Sequence, residues 1–331
     1  MPWPGAVAVS GGSDSVALMH LLRGWARSGA VPPPVVLTVD HGLRPGSTAD
    51  ARAVVRAAKA LGLKVQILKW DGEKPAANIE AMARETRYAL MGAWCRANGT
   101  ATLYLGHTRD DQAETFLLRL ARGTGLDGLS GMAAIAPWPV QSFPELSLAR
   151  PLLKFEREAL RNYLTESGTA WREDSTNADP RFARNRIRAV WPVLEEAGLT
   201  KGRIADAAAH LARARFALET VTKELIARAA VTGVDGVVID AAVLRLAPRE
   251  VALRALAAML TNVSNVPYRP RFERLESLFD ALISGGLRKA RTLHGCRIGP
   301  APKMVATFGA NSVLIERERD RRKPDVRTVR T

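Results

Sequence analysis

Only two cysteines, Cys95 and Cys296, occur in 331 residues, and they lie far apart. That scarcity excludes a disulfide framework and a cysteine-rich zinc site, and it fits a reducing compartment. No stretch approaches the roughly 20 consecutive apolar residues that cross a bilayer. The start, MPWPGAVAVSGG, lacks the basic region, apolar stretch and small-residue cleavage site of an export signal. A cytoplasmic protein without a membrane partner is therefore expected. No internal repeat is present. A G-x-x-x-x-G-K-[ST] phosphate loop is also missing, because no lysine follows the glycines near the start.

What is present is enough apolar material, 47%, to bury a sizeable core, in a chain long enough for two domains. The formal charge is +15, unevenly spread. Residues 1–100 carry 12 basic and 7 acidic side chains, residues 101–200 carry 12 and 13, and residues 201–331 carry 24 and 13. A basic C-terminal part suits a polyanion such as RNA, although a solvated arginine-rich surface would look the same.

The first half alternates short apolar runs with helical patterns. Strands are expected at 6–9, 35–39, 65–68 and 102–105, and helices at 16–25, 49–61, 78–98 and 111–122. Such alternation implies an α/β fold with a doubly wound parallel sheet. The regularity fades near Gly123, and a proline-punctuated stretch covers 137–151. Helices resume at 155–167 and 182–196, the second bent or broken before Pro192. A hinge at 198–202 leads to a second, mainly helical domain: helices at 204–230, 249–260 and 271–283, a strand at 237–239, and a small C-terminal β element over 291–315. The expected division is 1–198 for the α/β domain, 199–316 for the mainly helical domain and 317–331 as a charged tail.

One loop carries the chemistry. Ser10-Gly11-Gly12-Ser13-Asp14-Ser15 lies between the first strand and the first helix. Adjacent glycines let backbone approach a phosphate, and the amides and dipole of a helix start favour an anion. Ser10, Ser13 and Ser15 add hydroxyls. Asp14 is out of place beside phosphates unless it helps hold Mg²⁺. The bland alternative is a serine- and glycine-rich turn that caps a helix. Two further segments follow the second and fourth strands, at the carboxyl ends where open α/β sheets bind ligands. They bring Asp40, His41 and Arg44, and then His107, Asp110, Asp111 and Glu114, towards the same crevice. For Asp110 and Asp111 helix capping competes with a functional role, and for the histidines a structural role does.

The loop resembles the signature of the PP-loop ATP pyrophosphatase superfamily, which splits ATP into AMP and pyrophosphate to adenylate a carbonyl oxygen. Further segments narrow the resemblance: Asp40 to Arg44, the helix with Arg84, Arg87 and Tyr88, His107 to Thr115, Arg122 to Met132, Arg150 to Leu153, and Asp174 to Arg188. In this order they resemble the tRNA(Ile)-lysidine synthetases, densely over about residues 5–190. The resemblance implies adenylation of the wobble cytidine of a CAU-anticodon tRNA(Ile), then displacement of AMP by the ε-amine of L-lysine. It implies ATP and Mg²⁺ as cofactors, with Asp14 towards the metal. Asp14, Asp40, His107, Asp110, Asp111 and Glu114 become candidate catalytic residues. Arg44, Arg84, Arg119, Arg122, Arg172, Asp174, Asn177, Arg184 and Arg188 become candidate substrate contacts. For the arginines, surface ion pairs are the competing reading. A homodimer is an additional expected partner arrangement. Two rival readings stand: a PP-loop tRNA thiolase, which needs paired cysteines that this chain lacks, and an RNA-binding module that uses ATP structurally, which has little need for carboxylates facing a polyanion.

Overall fold

The computed structural model describes residues 3 and 5–318, except 44–45, 73, 75–78, 173–180, 182, 235, 285–286 and 288. It consists of two compact units, Met1–Ala212 and Arg213–Thr331. The change of unit falls within a long helix, past the glycine-flanked stretch at 198–202 where a hinge is expected.

The first unit alternates as its apolar pattern requires: β1 (Gly5–Ala8), α1 (Ser13–Ser28), β2 (Val35–Asp40), α2 (Ser47–Ala60), β3 (Val65–Lys69), α3 (Ile79–Ala97), β4 (Thr102–Tyr104) and α4 (Arg109–Leu120). It continues with α5 (Leu126–Leu129), β5 (Ile135–Pro137), β6 (Ser147–Ala149), α6 (Arg157–Glu166), α7 (Ala183–Glu196) and the start of α8 (Lys201–Ala229). The sheet order is β3-β2-β1-β4-β6-β5, parallel except for the β5–β6 pair. Successive strand residues point to opposite faces, and both faces are covered. Val7, Val36, Tyr104 and Ala149 pack beneath α1, α2 and α6, while Ala6, Leu37, Leu103 and Leu148 pack with Tyr88, Met91 and Cys95 of α3. Each valine or leucine among them contributes about 1.5–3 kcal/mol when fully buried. The doubly wound arrangement is the expected one.

Two local features differ from expectation. Strands β5 and β6 occupy the proline-punctuated stretch that shows no strand pattern. Pro137 is tolerated because β5 is the edge strand of the sheet, where a missing amide costs no ladder bond. Helix α7 runs unbroken through Pro192. A proline ring removes one helical hydrogen bond, and buried Trp191 next to it, packed with Ala113 of α4 and Ile204 of α8, holds the helix in place.

The second unit joins the end of α8 to β7 (Ala230–Gly233), β8 (Gly236–Asp240), α9 (Ala241–Leu246), α10 (Arg249–Ser264), α11 (Phe272–Ile283), β9 (Arg291–Leu293), β10 (Cys296–Pro300) and β11 (Ser312–Arg317). Its strands form one antiparallel sheet in the order β7-β8-β11-β10-β9. Leu225, Ile239, Leu256, Leu260, Phe279, Ile298 and Ile315 share its core. The C-terminal strands therefore pair with β8 rather than standing apart, and the expected tail beyond 318 lies outside the described residues.

Candidate active site

Strand β1 lies between β2 and β4, and successive strands leave it in opposite directions. That reversal opens a crevice at the carboxyl ends of β1 and β4, the usual ligand position of such sheets. The loop 10–15 stands there. Gly11 has φ +96, which only glycine adopts without strain, and Gly12 precedes the first turn of α1 without a side-chain cap. No side chain of the N-cap residue therefore engages the first amides of α1, the arrangement an anion site uses. The loop is braced from within. The Ser10 amide donates to Ser15 Oγ at 3.2 Å, Ser15 Oγ donates to the Gly12 carbonyl at 2.9 Å, and the Arg172 amide donates to the Gly11 carbonyl at 2.9 Å. Ser13 Oγ donates to Asp14 Oδ1 at 3.0 Å.

The strand that faces this loop needs a glycine. A Cβ built on Gly106, just past β4, would lie 2.8 Å from the Asp14 carbonyl oxygen and 3.0 Å from the Ser15 nitrogen. Gly106 thus lets the β4 exit pass against the first turn of α1. Two residues on, Thr108 caps α4 in a reciprocal box. Asp111 Oδ2 accepts from the Thr108 amide at 2.8 Å and from Thr108 Oγ1 at 2.9 Å, which sets the carboxylates of α4 in place.

Those carboxylates meet the loop through a residue that the sequence did not single out. Arg157, the first residue of α6, places Nε 2.9 Å from Asp14 Oδ2, Nη2 3.3 Å from Asp111 Oδ1 and Nη1 3.6 Å from Glu114 Oε1. Its backbone amide donates to Asp110 Oδ2 at 2.8 Å. Arg188 grips Glu114 with two bonds of 2.7 and 3.2 Å, Arg184 stands 3.5 Å from Asp111, and Lys201 stands 3.3 Å from Asp110. Asp110, Asp111 and Glu114 are all buried, at 6%, 5% and 3% exposure, and a buried carboxylate is costly unless cations face it, as they do here. Burial raises the Asp14 carboxyl above its ordinary value, against the pull of Arg157. Burial also works to raise Asp111, but Arg157 and the Thr108 amide hold it below the usual range. Arg157 itself is pushed up by the carboxylates around it, against its own desolvation.

The remaining candidates are placed as follows. Asp40 turns to its own loop, accepting from Ser47 Oγ, from Thr48 Oγ1 at 2.7 Å and from the Gly42 amide at 3.3 Å. Those hydroxyl bonds lower its carboxyl. His41 Nδ1 accepts from the Leu43 amide at 3.2 Å. His107 Nδ1 accepts from Arg150 Nε at 3.3 Å, and burial pushes the imidazole down to about 4, so it is neutral at pH 7. Arg119 pins the following turn through the Gly128 and Gly131 carbonyls at 2.7 and 3.0 Å, and Gln112 exchanges two bonds with Met132. Arg172 pairs with Asp50. Arg84 lies over the Tyr88 ring, exposed, and Arg122 is exposed too. Arg44, Asp174 and Asn177 lie outside the described residues. The structure thus brings Asp14, Asp110, Asp111, Glu114, Arg184 and Arg188 into one network. Asp40 is engaged with its own loop, Arg119 with the turn that follows α4, and Arg172 with Asp50 of α2 and, through its amide, with Gly11. No sequence pattern marks Arg157, since a basic residue at the start of an amphipathic helix looks solvent-facing.

A family model described as the PP-loop domain matches residues 5–194. The tRNA(Ile)-lysidine synthase of Wolbachia pipientis wMel is 36% identical over 96% of this chain and 71% of its own length. That of Ruegeria pomeroyi is 40% identical over 88% and 68%, and that of Methylobacterium nodulans 42% over 87% and 85%. Among solved structures, the U34-tRNA thiolase NcsA of Methanococcus maripaludis superposes with a TM-score of 0.52 at 17% identity, covering 63% of this chain and 72% of that one, a likeness of fold alone. With an uncapped glycine loop over the β1/β4 crevice and relatives of this identity along most of its length, the chain belongs to the tRNA(Ile)-lysidine synthase family of PP-loop proteins.

Proposed function

We propose that the protein is an ATP-dependent ligase that joins L-lysine to the wobble cytidine of a CAU-anticodon tRNA(Ile), forming lysidine with release of AMP and pyrophosphate. The observation that carries this reading is the uncapped loop over the β1/β4 crevice, linked by Arg157 to buried carboxylates on α4, in a chain of this family. The loop amides suit a pyrophosphate group. The cytidine 2-oxygen attacks the α-phosphorus and pyrophosphate leaves. The lysine ε-amine, freed of its proton, then attacks carbon 2, and the carbon–oxygen bond breaks to release AMP.

Residue roles follow from charge. Asp14, at the first turn of α1 beside the loop amides, is the carboxylate suited to a Mg²⁺ ion. Among the described residues no group of three or more His, Cys, Asp or Glu forms a separate metal centre, so such an ion would rest mainly on the polyphosphate. When bound, Mg²⁺ offsets phosphate charge. Asp111, held ionised, suits pairing with the lysine substrate's cationic groups better than accepting a proton at neutral pH, because a base works best near the ambient pH. Glu114 and Asp110 are the other candidates for holding or deprotonating the amine. Arg84, Arg122, Arg184 and Arg188 are proposed to meet tRNA phosphates or developing phosphoryl charge.

A thiolase reading is disfavoured by the two cysteines. Cys95 and Cys296 are buried in separate cores, and burial pushes their thiols up to about 12 and about 11, away from the thiolate that sulfur chemistry uses. Sedimentation decides whether a homodimer forms. No helix among the described residues is long and apolar enough to cross a membrane, and we propose action in the cytoplasm. The test is AMP release: it should require L-lysine and the CAU-anticodon tRNA(Ile) together. Release with that tRNA and no lysine, unchanged on adding lysine, refutes the reading.

A further inference from the structure

We infer that Arg157 couples the two halves of the site, so that polyphosphate bound at the 10–15 loop strengthens binding of the cationic amine substrate at the α4 carboxylates. The inference rests on the proposed reaction but concerns a residue that the reaction scheme does not assign. Its basis is a single guanidinium shared between two places: Nε on Asp14 of the loop, at 2.9 Å, and Nη1 and Nη2 on Glu114 and Asp111 of α4, at 3.6 and 3.3 Å. The side chain is 20% exposed, enough to move towards an anion in the crevice without losing all contact with protein.

The sign follows from charge. A polyphosphate at the loop offers several anionic oxygens to the same guanidinium, and an arginine pairs with phosphate in the same forked geometry that it uses for carboxylates. As Arg157 turns to that anion, Asp111 and Glu114 lose one of their cations. Both are under 6% exposed, and a buried carboxylate deprived of its counter-ion is costly until another cation replaces it. The ammonium of the amine substrate is such a cation. Arg184 and Arg188 also face Asp111 and Glu114, at 3.5 and 2.7 Å, so the carboxylates keep a partner when Arg157 turns while their share of positive charge falls. Linkage is reciprocal: the amine on α4 frees Arg157 for phosphate to the same degree that phosphate frees α4 for the amine. Arg157 is therefore a positioning residue. It makes the site favour the complex that holds both substrates over either alone.

Titration calorimetry of the full chain with L-lysine, in the presence and absence of an ATP analogue with a methylene between the α- and β-phosphates, reads the coupling. CAU-anticodon tRNA(Ile) transcript is present in every arm. For the wild type the analogue should lower the lysine Kd about tenfold, within the usual range of such couplings. In Arg157→Gln the two lysine Kd values should agree within a factor of two. Arg157→Lys keeps the charge but cannot span both places and should retain little of the effect; it is the deciding variant if Arg157→Gln shows no cooperative unfolding. An analogue effect of wild-type size in a folded variant overturns the inference and leaves the proposed reaction standing. A wild type that binds lysine with no analogue effect also overturns it. A wild type that binds no lysine in any arm overturns the proposed reaction, and the inference with it.

Discussion

Replacing Gly106 with alanine tests whether the crevice depends on close backbone passage. The new Cβ would sit 2.8 Å from the Asp14 carbonyl oxygen and 3.0 Å from the Ser15 nitrogen, where ordinary contact begins near 3.4 Å. Both neighbours are backbone, so no side chain can swing aside. The first turn of α1 must move by about 0.6 Å, or β4 must, and forced overpacking of this kind costs about 1–3 kcal/mol. For a unit of this size each kcal/mol lowers Tm by about 2–4 °C. The displaced segment carries Asp14 and the loop amides, and a misplacement of about 1 Å at a reacting geometry costs on the order of 100-fold. A shift of 0.6 Å should therefore lower kcat/KM for ATP by roughly tenfold, while tRNA affinity stays within twofold. Steady-state AMP production, tRNA filter binding and a thermal melt read the three quantities. A Gly106→Ala protein with unchanged Tm and unchanged kcat/KM for ATP would refute the claim that β4 and α1 meet this closely.

Three further outcomes are expected. His107, with its imidazole pushed down to about 4, gains protons in the unfolded chain near pH 6.5 but not in the fold, so its contribution to stability falls as pH drops from about 6.5 to 4. Roughly 2 kcal/mol should be lost by pH 5. Urea unfolding at pH 7 and pH 5, compared with His107→Gln, checks this; a ring that titrates near 6.5 by NMR contradicts it. Asp14→Asn should abolish AMP release and leave tRNA binding largely intact, whereas equal loss of both would make Asp14 structural. Salt should weaken tRNA binding steeply, by about a thousandfold between 50 and 200 mM if six phosphates are met, and a flat response removes the electrostatic argument.

The legible parts of this molecule are those where local pattern and tertiary fate agree. Runs such as Ala6-Val7-Ala8 and Val35-Val36-Leu37 are apolar on both faces because both faces of the sheet are covered, so strand identity and parallel topology could be read together. The loop 10–15 was legible for a related reason: phosphate binding by backbone needs glycines at fixed places between a strand and a helix. Strands β5 and β6 were not, because three-residue strands leave no periodicity and Pro137 argues against a ladder unless the strand is known to be an edge. Nor was β7, where exposed residues 231–233 owe their strand form to pairing with the expected strand β8. Arg157 escaped because nothing local distinguishes a guanidinium that meets three carboxylates on two other helices, α1 and α4, from one that faces solvent. Asp110 and Asp111 both serve helix starts: Asp111 caps α4 and also pairs with Arg157, and Asp110 accepts from the first amide of α6 and faces Lys201.

The central claim is that the adenylated acceptor is a wobble cytidine and the incoming group is lysine. Incubating the protein with ATP, Mg²⁺, radiolabelled L-lysine and CAU-anticodon tRNA(Ile) transcript, followed by nuclease digestion, tests it most directly. The account predicts label in a single modified nucleoside from the wobble position, absent when ATP is omitted. Active protein that consumes ATP yet leaves the RNA unlabelled would contradict it.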